Sequence, residues 1–183
     1  MTNAAAPRIA PLEPPYTAEV QADFDRVMPP GMPPLALFRT VARNPRVLSR
    51  MVRGGLLDPG SISLAERELI ILRACARCGA EYEWGVHVAG FAAKAGFSPA
   101  QIAATRAADI DAALWDPRQQ LLLATVDALH EQATLSEPAW QALRAEFDAA
   151  QCIEILMLAG LYHAVSFVAN ALALEPEPFA ARF

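Results

Sequence analysis

Glu83 and His87 stand four residues apart in the run Glu81-Tyr82-Glu83-Trp84-Gly85-Val86-His87, a spacing that puts both side chains on one face of a helix. Each can carry a proton near neutral pH once burial tunes its pKa, so the pair is a candidate for general acid/base work. A third acid, Glu68, is the one internal carboxylate on the greasy side of the preceding helical stretch, residues 64–78. At about 100° per residue, Glu68 shares a face with Ile71, Leu72 and Cys75, while Glu66, Arg73 and Arg77 collect opposite. A carboxylate on that face pays a desolvation cost unless a partner compensates it or its pKa rises. Two readings follow: a structural pin, salt-bridged to an arginine such as Arg67 of a packed neighbour, or a proton-transfer group shared with Glu83 and His87.

The same angular count places Glu83, His87, Gly90 and Lys94 on one stripe, with Trp84, Val88 and Phe91 on one flank and Tyr82, Val86, Ala89 and Ala93 on the other. Gly90, one turn beyond His87, leaves room for a small ligand. The plainer alternative is an exposed Glu–His pair worth a few tenths of a kcal/mol. Farther on, Tyr162 and His163 follow the small pair Ala159-Gly160, where another helix can approach closely. Tyr162 can donate a hydrogen bond to a substrate carboxylate or enolate. With Tyr82, Trp84 and His163 it makes up a candidate substrate-binding set, although aromatic residues at helical spacing are commonly core residues with satisfied polar tips.

Cys75 and Cys78 form a Cys-x-x-Cys whose side chains differ by about 300° around a helix, and Arg73 and Arg77 are placed to lower a thiol pKa. The pair is therefore a redox candidate. Against it, a buried cysteine usually behaves as a small hydrophobe. No second Cys/His pair at ligand spacing accompanies it, and the scattered His87 and His163 do not supply one, so no metal and no cofactor are expected. His130 ends a helix after Asp127, a place where a histidine can cap electrostatically.

Helix-start signals recur along the chain, and no segment shows the sustained two-residue alternation of a strand. Asn44-Pro45 divides a helix over 35–43 from one over 45–54. Ser63-x-x-Glu66 is a capping box, Ser98-Pro99 with Gln101 begins a short helix, and Asp116-Pro117 begins one running to Gln132. Ser136 caps a helix through Phe147, and Asp148 with Gln151 caps a long apolar one. The expectation is an all-α helical bundle of about nine helices, with no sheet. Residues 1–34 carry eight prolines around a short helical window, 17–28, and read as an N-terminal arm that wraps the body or a neighbour. Residues 35–183 read as a single all-helical domain.

Composition narrows the function classes. A chain of 183 residues with 54% apolar content fits one folded domain with an ample core. Fifteen basic against twenty acidic residues give a net charge of −5, and no basic cluster has interleaved aromatics, so nucleic acid is not expected as a partner. Three cysteines without paired spacing fit a reducing cytoplasm, and the N-terminus lacks an apolar core of signal-peptide length. Residues 153–174 are apolar over about the length of a bilayer span. His163, Ser166 and Asn170 recur there at i, i+3, i+7, a stripe that suits a polar cavity or partner better than lipid, so no membrane association is expected. The apolar fraction and the proline-rich arm point to a homo-oligomer.

The run SLAERELIILRACARCGAEYEWGVHVAGFAAKAGFSPAQI resembles the core of the carboxymuconolactone decarboxylase and alkylhydroperoxidase D superfamily, most strongly over residues 63–105 and more weakly from about 115 to 174. The resemblance implies an alkylhydroperoxidase D-like all-helical subunit that assembles as a homotrimer or homohexamer, with its site beside the helix hairpin. The peroxidase branch has a Glu, eleven residues, Cys-x-x-Cys, three residues and a His. Here Glu68 and His87 fit that pattern, but Ala80 and Glu83 occupy the cysteine positions. In the decarboxylase branch a glutamate and a histidine stand where Glu83 and His87 stand.

The resemblance thus implies a cofactor-independent lyase acting on a small carboxylated lactone or enol. His87 would move a proton at carbon, Glu83 would orient it and Glu68 would relay. The alternatives are a peroxiredoxin-like oxidoreductase using Cys75 and Cys78, and a non-catalytic oligomeric binding protein.

Overall fold

Seven side chains, those of Thr17, Asn44, Ser63, Ser98, Asp116, Ser136 and Asp148, each accept a hydrogen bond from the backbone N–H three residues on, and a helix follows each. The computed structural model describes residues 6–183, and among them the elements are α1 (Ala18–Val27), α2 (Ala36–Val41), α3 (Pro45–Arg53), α4 (Leu64–Arg77), α5 (Glu81–His87), α6 (Pro99–Ala104), α7 (Pro117–Gln132), α8 (Glu137–Glu146) and α9 (Ala149–Ala171). Directly after α5 the chain makes one π turn, Val88–Ala92. No strand occurs among the described residues, so the class is all-α.

Helix α4 is the axis of the fold. Its nine consecutive residues from Arg67 to Cys75 are buried because α5, α7 and α9 pack around it. The side carrying Arg73, opposite Glu68, is therefore covered as well. Arg73 is 1% exposed, and all five of its N–H groups are engaged, by Asp127 (2.7 and 2.6 Å) and by the carbonyls of Thr105, Ala107 and Ala108.

The apolar core divides into two clusters that meet along α9. One surrounds α4 with Leu122, Leu143, Phe147 and Leu158; the other joins Val20 and Phe24 of α1 to Leu37, Leu48, Tyr82 and Val165. The described part of the proline-rich segment packs against the body of the chain, with Leu12 N–H donating to the Arg39 carbonyl at 3.0 Å. The C-terminal segment crosses back over α5. A Cβ on Gly85 would meet the Ala181 carbonyl oxygen at 2.1 Å, and the Ala181 N–H donates to Gly85 O at 3.1 Å, so only glycine admits this crossing. Glu177 of the same segment accepts from the Ala36 N–H (2.6 Å) and from Tyr82 O–H (2.7 Å), tying α2 to α5.

Helix α9 is long and apolar enough to cross a membrane by length and composition. It instead contributes Cys152, Ile155, Leu158, Ala159, Tyr162, Val165 and Ala169 to the core. Two residues of its polar stripe have protein partners, while Ser166 Oγ is buried with none among the described residues. Asn170 donates to the Cys78 carbonyl at 2.8 Å, and His163 meets His130.

Candidate active site

Glu68 lies in the middle of α4 with no exposure. Its compensating cation is its own sequence neighbour: Arg67 Nε and Nη2 donate to Oε1 at 3.0 and 2.9 Å. Adjacent helix positions point about 100° apart, but the long arginine stem curls back, and Nη1 is held by the Leu57 carbonyl at 2.6 Å. The arginine expected from a packed neighbour is thus local. The other oxygen, Oε2, takes the Nδ1 of His87 at 2.7 Å. Both oxygens of Glu68 are thus occupied, and Oε2 holds the imidazole in place.

His87 ends α5, 3% exposed. Its Nε2 is 2.9 Å from the Tyr162 hydroxyl on α9 and 3.5 Å from Glu83 Oε1. Phe91, presented by the π turn, stacks on the imidazole at 5.3 Å between centroids, and the Arg67 guanidinium lies over Phe91. Burial alone would lower the pKa of His87. The hydrogen bond to Glu68 and the nearby Glu83 carboxylate outweigh it and raise the value to about 9. At neutral pH the ring is an imidazolium with Nδ1–H on Glu68 and Nε2–H toward Tyr162 and Glu83.

Glu83 completes the constellation and differs from the rest. It is 6% exposed, and its Oε2 has no hydrogen-bond partner among the described residues. It also lines a cavity of about 730 Å³, together with Tyr162 and the apolar side chains of Leu37, Phe38, Met51, Val52, Phe91, Leu161 and Val165. Arg26 and Arg53, both exposed, stand at this cavity. His87 and Glu68 do not line it. The expectation had His87 meeting the substrate and Glu83 orienting it; the structure puts Glu83 and Tyr162 in the cavity wall, with His87 behind them.

The remaining candidates are placed elsewhere. Tyr82 turns toward the N-terminal cluster, where its hydroxyl accepts from Leu37 N–H at 3.0 Å and donates to Glu177; it ties elements together and does not reach the cavity. Trp84 lies on the far side of α5, its Nε1–H on the Thr105 hydroxyl at 2.9 Å. His163, one residue from Tyr162 and so about 100° around α9, points away from the cavity toward His130. Gly90 is not in the cavity wall either, since the wider π turn brings Phe91 there instead. Cys75 and Cys78 are free thiols outside the cavity. Arg73 is spent on Asp127, and burial raises both thiols above their ordinary value, Cys75 most. That weighs against a ready thiolate at either position.

Sequence reasoning missed the cavity itself, whose walls come in part from α1, α2 and α3, and it missed His130 as a neighbour of His163. The available signal was the amphipathic pattern of residues 17–28, which required a covering element near α5.

Residues 45–127 match the Carboxymuconolactone decarboxylase family. No curated protein matches the chain. Among solved structures, an uncharacterized peroxidase-related protein from Silicibacter sp. TM1040 is similar at 21% identity and a TM-score of 0.78, covering 97% of this chain and 96% of that one. An uncharacterized peroxidase-related protein with an alkylhydroperoxidase AhpD core, from Ralstonia eutropha JMP134, is similar at 19% identity and 0.68, covering 78% and 76%. A cysteine-to-alanine variant of the debrominase Bmp8, in complex with 2,3,4-tribromopyrrole, is similar at 15% identity and 0.75, covering 93% and 92%. At these identities the likeness concerns the fold.

Proposed function

We propose that this chain, whose residues 45–127 match the Carboxymuconolactone decarboxylase family, is a cofactor-independent lyase acting by proton transfer on a small carboxylated lactone or enol. The observation that carries this reading is Glu83, a buried side chain in the wall of a cavity of mixed polar and apolar lining, whose Oε2 has no hydrogen-bond partner among the described residues. A buried acceptor of this kind costs free energy unless a ligand or water satisfies it. The cavity volume suits a small molecule, and Arg26 and Arg53 supply charge for a substrate carboxylate.

In this scheme loss of CO2 leaves an electron pair conjugated as an enolate. The His87 imidazolium, 3.5 Å from Glu83 Oε1, passes its Nε2 proton to the Glu83 carboxylate, which delivers it to the carbon, while Tyr162 donates a hydrogen bond to the enolate oxygen. A solvent proton then restores the imidazolium. Glu68 and Arg67 keep that imidazole oriented and charged. An acid/base arrangement of this type supplies about 10²- to 10⁴-fold in rate.

Assay of the purified protein with 4-carboxymuconolactone and related lactones, beside Glu83→Gln and His87→Ala, tests the reading. Turnover that both substitutions abolish is expected. No turnover of any such compound, or turnover indifferent to both changes, overturns it. Peroxide reduction through Cys75 and Cys78 would instead require thiols that reach the cavity, and theirs do not.

A homo-oligomer is part of the proposal. Ile153, Met157, Gly160, Ala164 and Phe167 on α9 are exposed in a single row, with Ile153, Met157 and Phe167 each more than 60% exposed. Their spacing of four, three, four and three is that of a helix-packing seam. A trimer or hexamer by light scattering, reduced to monomer in Met157→Lys with Phe167→Lys, is the expected result.

A further inference from the structure

Cys78, His130 and His163 come from three separate helices and gather at one end of the bundle, away from the cavity. Cys78 caps the C-terminus of α4, His130 sits in the last turn of α7, and His163 lies in the middle of α9. One ligand atom from each lies within 4.8 Å of the others. His130 Nδ1 is 3.0 Å from His163 Nε2 and 3.8 Å from Cys78 Sγ. A tetrahedral ion at ordinary Zn–N and Zn–S lengths separates two such nitrogens by about 3.3 Å and a nitrogen from a sulfur by about 3.6 Å. These two separations differ from the ideal ones by a few tenths of an ångström, and the third, between Cys78 and His163, lies within 4.8 Å.

The surroundings orient these groups as ligands. The Ala159 carbonyl accepts from His163 Nδ1–H at 2.8 Å, which leaves the Nε2 lone pair pointing at the centre of the cluster. A backbone carbonyl on the non-ligating ring nitrogen is the usual support of a metal-bound histidine. The Cys78 backbone is fixed by Asn170 at 2.8 Å. All three residues are half-buried, so an ion can enter and a fourth position remains open. We propose that Cys78, His130 and His163 form a binding site for a zinc-class divalent cation, with water or a small anion as the fourth ligand. The bound ion would staple the ends of α4 and α7 to the segment of α9 that carries Tyr162. Without an ion, the same geometry is satisfied by His130 Nδ1–H donating to His163 Nε2, and the experiment must separate the two.

Titration of the purified, metal-stripped full chain with Co²⁺ is the direct test. One equivalent per chain is expected, with the thiolate-to-cobalt charge-transfer band and the d–d bands of a tetrahedral site, and Zn²⁺ displaces it. Cys78→Ser removes the charge-transfer band. His163→Gln weakens Co²⁺ binding by more than the roughly 10- to 100-fold that loss of a supporting hydrogen bond costs. Substoichiometric or non-saturating binding, or spectra unchanged in Cys78→Ser, overturns the proposal.

A second measurement keeps the test independent of variant folding. Cys75 is 0% and Cys152 1% exposed, so Cys78 is the thiol that a reagent meets in the native chain. Saturating Zn²⁺ is expected to protect it and chelator to restore labelling. Equal labelling rates with and without Zn²⁺ overturn the proposal.

Discussion

Two buried arginine–carboxylate networks lie six residues apart on α4 and end differently. Arg73 closes on itself: five N–H groups meet five acceptors, and Asp127 returns both oxygens. The other network runs from Arg67 through Glu68 and His87 to Glu83 and stops at an oxygen with no partner. Both have paid the desolvation cost of burying charge. A network whose donors and acceptors are matched has nothing left to offer a ligand. One with an open acceptor at a cavity wall keeps an interaction in reserve, and that difference separates a structural pin from a candidate site more sharply than burial or charge does.

The largest effect that can break this contrast is on rate. Glu83→Gln is expected to lower kcat by about 10²-fold or more while the unfolding midpoint in urea falls only slightly, because no protein hydrogen bond to Oε2 is lost and only the 3.5 Å contact of Oε1 with His87 is weakened. Asp127→Asn should do the opposite. Removing one member of a buried pair costs about 3–5 kcal/mol, read as a lowered urea midpoint, while kcat per folded molecule is unchanged. If both variants lose stability and neither loses rate selectively, the open oxygen has no special role.

The next effect is in the pH dependence of stability. The folded pKa of His87, about 9, lies above its unfolded value of roughly 6.5. Protonated His87 therefore contributes stability that is fully present below about pH 6.5 and is lost as pH rises through about 9. The difference corresponds to roughly 3 kcal/mol. Unfolding free energies measured across this window should fall with rising pH in the wild type and flatten in His87→Gln. Asp127→Asn leaves the Glu68–His87 hydrogen bond in place and should keep the wild-type slope.

How far the contrast was legible in the sequence depended on range. The caps at Asn44, Ser63, Asp116, Ser136 and Asp148 are local, and each helix starts where its cap stands. The grouping of Glu68, Glu83 and His87 was legible because one short turn joins α4 to α5, with Gly79 at φ +62° making it. Which oxygen stays open was not legible, since that depends on Tyr162, 75 residues beyond His87, and on cavity walls from α1 to α3. The apparent equivalence of Tyr162 and His163 failed for a simple reason: adjacent positions on α9 face different clefts. That the side carrying Arg73 is covered was not legible, because α7, which covers it, begins only at Pro117.

Tyr162 offers the finest test, because it touches both the charged group and the cavity. Its hydroxyl is 2.9 Å from His87 Nε2, and burial, the largest cause, holds its pKa well above the ordinary value, so it acts as a hydrogen-bond donor and not as an acid. Tyr162→Phe removes that hydroxyl without opening a large void. The loss of one hydrogen bond at a charged centre corresponds to about 10- to 100-fold, and it should appear in kcat if the hydroxyl supports the enolate. It should appear in KM alone if Tyr162 contacts only the bound substrate. A loss confined to stability, about 1 kcal/mol with both kinetic constants unchanged, would move Tyr162 to the closed side of the comparison, beside Arg73, and leave Glu83 as the sole group through which this network meets a ligand.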